Sequence, residues 1–242
     1  EADGPEAISD ALELEEVAEG EDLILNITGS VDVCDPDNTI LIPNKKAASI
    51  TIDLTQAEIS TSCSSDLYVK YKDATGEGKY AGKVIVKTAD NSVSAPVDMV
   101  VDLDSTPFQM TGKGDIKELK LVDATALTID GNSNDITYTL SNNVKTLTVN
   151  SGAESADITI DKNSLTAANV ENIYVYGKIG KITNANNAAT NVFIDAETWQ
   201  PTAEAGVINV GGNVTMTKNS KTTGTITAGG AVTMSGSAVS GG

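Results

Sequence analysis

Leu127-Thr-Ile-Asp130, Ile158-Thr-Ile-Asp161 and Val192-Phe-Ile-Asp195 share one short grammar: an apolar residue, an outward one, an apolar residue, then an acid able to turn the chain. Alternation of this kind belongs to a strand with one buried face. Its return every few tens of residues belongs to stacked coils, each burying its apolar face only against its neighbours. A second set, Leu119-Lys-Leu121, Leu147-Thr-Val149, Ile173-Tyr-Val175 and Ile208-Asn-Val210, interleaves with the first. Ile129, Ile160 and Ile194 mark the advance of one series, and Leu119, Leu147, Ile173 and Ile208 mark the uneven advance of the other. Two series kept in step predict a coil of two or three strands, each pairing in parallel with its own counterpart in the next coil. Uneven steps suit corners, which lengthen at little entropic cost. The competing arrangement is a sandwich of unrelated short strands.

Composition favours coils. Aromatic residues make up only 4% of the chain, thin for a sandwich built around large side chains, whereas Val, Ile, Leu, Ala and Thr dominate the strands. Asp130-Gly-Asn132, Asn150-Ser-Gly152, Gly211-Gly-Asn213 and Gly229-Gly230 follow strands and supply residues that tolerate the backbone angles of sharp corners. Residues 6–19 carry the one helical pattern, with Ile8, Leu12 and Val17 along one side and Gly20 as a stop. A helix there would cover the open strand edge of the first coil, an edge that otherwise recruits other chains. This divides the chain into a segment with a capping helix over 1–22 and a β-helix domain over 23–242. Within 60–112 the pattern loosens: Tyr68-Val-Lys-Tyr71 and Lys83-Val-Ile-Val-Lys87 read either as an inserted hairpin or as two coil strands with a long corner. At the C-terminus Ala228–Gly242 fades into small residues, which leaves fraying or self-association through the C-terminal coil as the alternatives.

Charge and missing residue types narrow the function classes. Net charge is −18 and there is no His; every basic residue is a Lys. That balance repels phosphate backbones and anionic membrane surfaces, so nucleic acid is not an expected partner. No apolar run is long enough to span a bilayer. A start at Glu1 rather than Met is compatible with removal of an export signal. Cys34 and Cys63 are separated by close to one coil step and could lie one above the other as a disulfide or serve as two small buried thiols.

Without His or Arg, general acid–base chemistry falls to carboxylates, Lys and Tyr. Asp130, Asp161 and Asp195 are the outward carboxylates, and paired carboxylates can hydrolyse glycosides. Yet each follows a strand at the same place, where turn chemistry alone calls for Asp. Asp130-Gly-Asn-Ser-Asn-Asp135 offers alternating oxygen ligands in Asp130, Asn132, Asn134 and Asp135, the start of a calcium loop. It departs from that loop because Asp135 stands where Gly is needed and Ser141 where the closing Glu belongs. Calcium is therefore a weak candidate, and no other cofactor is expected. In Ile173-Tyr-Val-Tyr176, inward Ile173 and Val175 turn Tyr174 and Tyr176 outward on one face, and Trp199 follows about one coil later. Together they would make a stacking strip for a glycan or a surface protein; alternatively Trp199 closes its own corner and the tyrosines pack under a loop. Tyr138 shares parity with Ile136 and Leu140 and is expected inside.

The stretch Val97–Gly112 with Ile116–Val122 and Val144–Val149, and the earlier Thr39–Pro43 with Ile50-Thr-Ile-Asp-Leu54, resembles the pectin-lyase-like right-handed parallel β-helix proteins exported by gut Bacteroidetes. The likeness covers roughly 20–242 and is carried by strand pattern. It implies an all-β fold, a single-stranded right-handed parallel β-helix (solenoid), on an extracellular or outer cell-surface protein. Such proteins are often lipid-anchored through a Cys that this sequence does not show, and the resemblance implies a lipid anchor upstream of Glu1 as an expectation. No catalytic residue carries over, because nothing here matches the Arg, His or clustered carboxylates of the lyase and hydrolase sites. The expected function is a non-catalytic, adhesin-like or structural module that displays a surface for glycan or protein binding. The alternative is a carbohydrate-active enzyme, a glycoside hydrolase or polysaccharide lyase, using outer-face carboxylates.

Overall fold

Period-two alternation becomes strand nearly throughout. The structure, a computed structural model, describes residues 4–34, 38–63, 65–72, 81–89, 97–112, 116–140, 144–150, 153–160, 170–184, 190–195, 203–218 and 220–241, by backbone alone at 123, 132–135, 137, 154–160 and 183–184. Two compact units divide the chain, Glu1–Ala124 and Thr125–Gly242.

The first unit opens with α1 (Pro5–Leu14), then β1 (Asp22–Asp32), β2 (Thr39–Ile42), β3 (Ser49–Ser60), β4 (Leu67–Tyr71), β5 (Val84–Thr88), β6 (Val97–Asp102), β7 (Phe108–Thr111) and β8 (Ile116–Asp123). Odd-numbered strands form one parallel ladder and even-numbered strands another, so each strand pairs with the one two places along the chain. That alternation is a parallel β-helix with two strands per coil. Register stacks like on like: Ile52, Val86 and Met110 line one column, and Val69, Val101 and Leu121 another. All six are essentially fully buried. Each such side chain contributes about 1.5–3 kcal/mol relative to exposure.

Tyr68–Tyr71 and Lys83–Lys87 prove to be coil strands. They lie in different ladders, β4 between β2 and β6 and β5 between β3 and β7, so they are not hairpin partners. Cys34 follows β1 and Cys63 follows β3, the strand paired beside it, and the two are joined in a disulfide with Cα atoms 5.6 Å apart.

The helix is shorter than its pattern suggests. α1 ends at Leu14, Glu15 is extended, and Val17 lies beyond it. Charge opposes its continuation: Glu13, Glu15 and Glu16 sit at the carbonyl end of the helix, where negative charge works against the dipole. Lys45 answers it, donating from Nζ to the carbonyls of Leu12 at 2.7 Å and Glu13 at 3.0 Å, and to that of Glu15. Ile8 and Leu12 are fully buried. Ser9 Oγ accepts the Leu41 N–H at 2.8 Å, so the helix covers β2, the outermost strand of its ladder. A side chain thereby satisfies a donor that the missing neighbour strand would have taken.

The second unit holds β9 (Ala126–Asp130), β10 (Asn132–Leu140), β11 (Thr146–Val149), β12 (Glu154–Ile160), β13 (Asn172–Val175), β14 (Lys178–Asn184), β15 (Asn191–Asp195), β16 (Glu204–Val210), β17 (Val214–Thr217), β18 (Lys221–Thr222), β19 (Ile226–Ala228), β20 (Val232–Met234) and β21 (Val239–Ser240). One parallel ladder runs β9-β11-β13-β15-β17-β20, the other β10-β12-β14-β16-β18-β21, with β19 also on β16. Ile129, Val149, Val175, Ile194 and Met216 stack in one fully buried column. Tyr138 is fully buried between Ile136 and Leu140, as its parity predicts. Val232 and Met234 continue the inward columns of Val214 and Met216 but are 47% and 41% exposed on the last strand of the ladder.

This register corrects the repeat read from sequence. The three signature segments are β9, β12 and β15, and none pairs with another. β9 and β15 belong to one ladder with β11 and β13 between them, whereas β12 belongs to the other. Of the second set, Leu147-Thr-Val149 and Ile173-Tyr-Val175 are true neighbours, but Leu119-Lys-Leu121 and Ile208-Asn-Val210 lie in even-numbered strands. The true coil step runs from Ile129 through Val149, Val175, Ile194 and Met216 to Met234. Every advance in that column except the one from Val149 to Val175 is shorter than any spacing read from the two series. Both ladders bury one face in a shared interior, so both use the same grammar, and similarity alone cannot sort them.

Candidate binding face

The outward residues of β11, β13, β15 and β17 form a grid on one face of the second unit. Thr148, Tyr174, Phe193 and Thr215 occupy one column at matched register. The Tyr174 and Phe193 rings stack with centroids 5.2 Å apart and planes within 15°. Tyr176, two residues along, lies nearly parallel to Tyr174 at 6.4 Å. All three rings are half-buried, as strand parity requires with Ile173, Val175, Val192 and Ile194 facing inward. Gly177 allows the chain to leave β13 beside Tyr176: a Cβ there would strike the carbonyl oxygens of Asn150 and Ala153.

Polar groups border the rings. On one side Asn191 Oδ1 accepts from the Asn213 backbone N–H at 3.1 Å and from its Nδ2 at 3.2 Å, while Asn213 Oδ1 accepts the Ala231 N–H at 2.8 Å. This amide ladder holds the strand starts in line. On the other side Asp195 Oδ1 accepts from Thr217 Oγ1 at 2.6 Å and pairs with Lys218 Nζ at 3.1 Å. Partial burial acts to raise the Asp195 pKa, but the hydrogen bonds from Thr217 and Lys218 and the lysine charge outweigh it and leave it below the ordinary value. Glu171, just before β13, pairs with Lys145 at 3.6 Å. Among the described residues, these two acids at the border are each matched by a lysine.

Tyr174 and Tyr176 therefore share a face, as the sequence indicates, while Trp199 lies outside the described residues. Phe193 completes the cluster and was missed. Its signal was present, since it fills the outward position of Val192-Phe-Ile-Asp195, where the two related segments carry Thr.

The other sequence candidates disperse. Asp130 and Asp195 end β9 and β15, three ladder steps or about 14 Å apart, wider than the ~5–10 Å of a glycosidase pair. Asp161 lies outside the described residues. The proposed calcium loop is not a loop: Asp130 ends β9, Gly131 turns at φ +71°, and Asn132, Asn134 and Asp135 run in β10. Among the described residues no group of three or more His, Cys, Asp or Glu side chains could hold a metal ion, and no helix is long and apolar enough to cross a membrane. A depression beside α1 is lined by Glu13, Glu15, Glu16 and Glu19 with Lys45 and Lys46, but Lys45 is committed to the helix end.

No protein-family model matches this chain, and comparison with curated proteins and with solved structures returns no match.

Proposed function

We propose that this chain is a non-catalytic, adhesin-like surface or secreted module that binds a glycan on the outer face of β11, β13, β15 and β17. The observation that carries the reading is the half-exposed group Tyr174, Tyr176 and Phe193, bordered by Asn, Thr and Asp side chains. A pyranose presents a C–H face that packs on aromatic rings and a hydroxyl edge that needs donors and acceptors. Tyr174 and Phe193 spend one face of each ring on their own stack, and the remaining half-exposed ring surface with its Asn, Thr and Asp border supplies groups of both kinds. The resemblance to exported pectin-lyase-like β-helices supports an extracellular or outer-surface setting. The disulfide supports it too, since such bonds persist in oxidising compartments.

The test is a glycan array followed by affinity electrophoresis, comparing wild type with a folded Tyr174→Ala variant. Retention of one or more glycans by wild type, weakened in the variant, is the expected result. A blank array, or binding indifferent to Tyr174, would remove the glycan reading.

A further inference from the structure

We infer that the ligand of this face is an uncharged, linear polysaccharide lying across the strands, along the column Thr148, Tyr174, Phe193 and Thr215; this rests on the glycan reading above. Two observations carry it. The first is charge. The chain carries −18, so a polyanionic glycan is repelled at long range. The described acids that border the rings are each paired, Asp195 with Lys218 and Glu171 with Lys145, so a cationic glycan finds no unpaired carboxylate among them. A face whose own charges cancel, on an acidic molecule, rejects polyanions and gives a cationic glycan no unpaired acid beside the rings to hold it there, so the contacts on offer are those an uncharged sugar makes.

The second is direction. The Tyr174–Phe193 stack runs from strand to strand, and Thr148 and Thr215 extend its line at either end in unbroken register. One ladder step, about 4.8 Å, is close to the length of one unit in an extended pyranose chain, so successive sugars meet successive strands. Along the strand the surface is less regular: Asn172 precedes Tyr174, and beyond Tyr176 the chain turns away at Gly177. Thr148 and Thr215 stand at the two ends of this line and the ring pair at its middle.

The experiment titrates wild type with uncharged linear gluco- and manno-oligosaccharides of increasing length, with a polyuronate, and with a deacetylated amino-glycan, at low and high salt. Affinity for the uncharged series should rise with length to about four units, the number of column positions, then level off, with little change on adding salt. Phe193→Ala should weaken it about three- to tenfold, Thr215→Lys should weaken it at the chain end, and Tyr174→Phe should retain it. Circular dichroism identifies any variant that fails to fold, and Tyr176→Ala then stands in for it. Tighter binding of the polyuronate or the amino-glycan, lost in the ring variants, would overturn the neutral assignment while leaving a glycan-binding face. Absence of a length plateau would overturn the direction. Binding of none of these probes, or binding that ignores every ring variant, would overturn the glycan reading itself.

Discussion

Tyr174 and Phe193, on neighbouring strands of one ladder, stack at 5.2 Å because Ile173 pairs with Val192 and Val175 with Ile194 beneath them. The rings are held by the ladder rather than by each other. Even so, an aromatic pair adds about 0.5–1.5 kcal/mol beyond its buried area. A double-mutant cycle of Tyr174→Ala and Phe193→Ala, read by urea unfolding, is expected to give a coupling toward the lower end of that range, because both rings are half-exposed. Strict additivity would mean that the rings do not interact in solution.

The disulfide makes a stronger demand. Cys34 and Cys63 close a long loop across paired strands β1 and β3. Chain-entropy bookkeeping places its contribution at about 3–4 kcal/mol. Purified oxidised protein, denatured without reductant, should show no titratable thiol. Cys34→Ser with Cys63→Ser should lower the stability of the first unit by roughly that amount. Two free thiols, or an unchanged urea midpoint, would contradict it.

Asp195 should mark the acid side of the stability profile. Its folded-state pKa lies below the ordinary value, held there by Thr217 and Lys218 against partial burial. Its contribution is therefore present at neutral pH and is lost as pH falls through that lowered value. Wild type should melt above Asp195→Asn near neutral pH, and the gap should close in strong acid. The carboxylate is about one-third exposed, so the gap should be small. A gap that persists in acid would mean that the ionised contact with Lys218 contributes nothing.

What the sequence reveals here divides along physical lines. Alternation in Leu147-Thr-Val149 and Ile173-Tyr-Val175 reports a buried face, so strand, parity and an aliphatic interior are all legible, as are buried Tyr138 and outward Tyr174. Which ladder a strand joins depends on how many residues each corner consumes, and that is weakly constrained. Ile158-Thr-Ile-Asp161 therefore looks like a partner of Leu127-Thr-Ile-Asp130 while β12, which holds its first three residues, lies in the other ladder. The same slip hid Phe193. Coils as long as the two series imply match Tyr174 with Trp199; the shorter coil that pairs β13 with β15 sets Phe193 beside it instead. The helix end differs for another reason, since apolar spacing continues to Val17 while the helix stops at Leu14, where acids at its carbonyl end oppose the dipole.

The most direct test of the proposed binding face is a map of backbone amide shifts in isotope-labelled protein on addition of an uncharged linear oligosaccharide. Changes should concentrate in Thr146–Val149, 172–177, Asn191–Asp195 and 214–218, and should be absent from α1 and β1 to β4. Changes centred in the first unit, or on the α1 depression, would contradict the placement of the ligand on Tyr174 and Phe193.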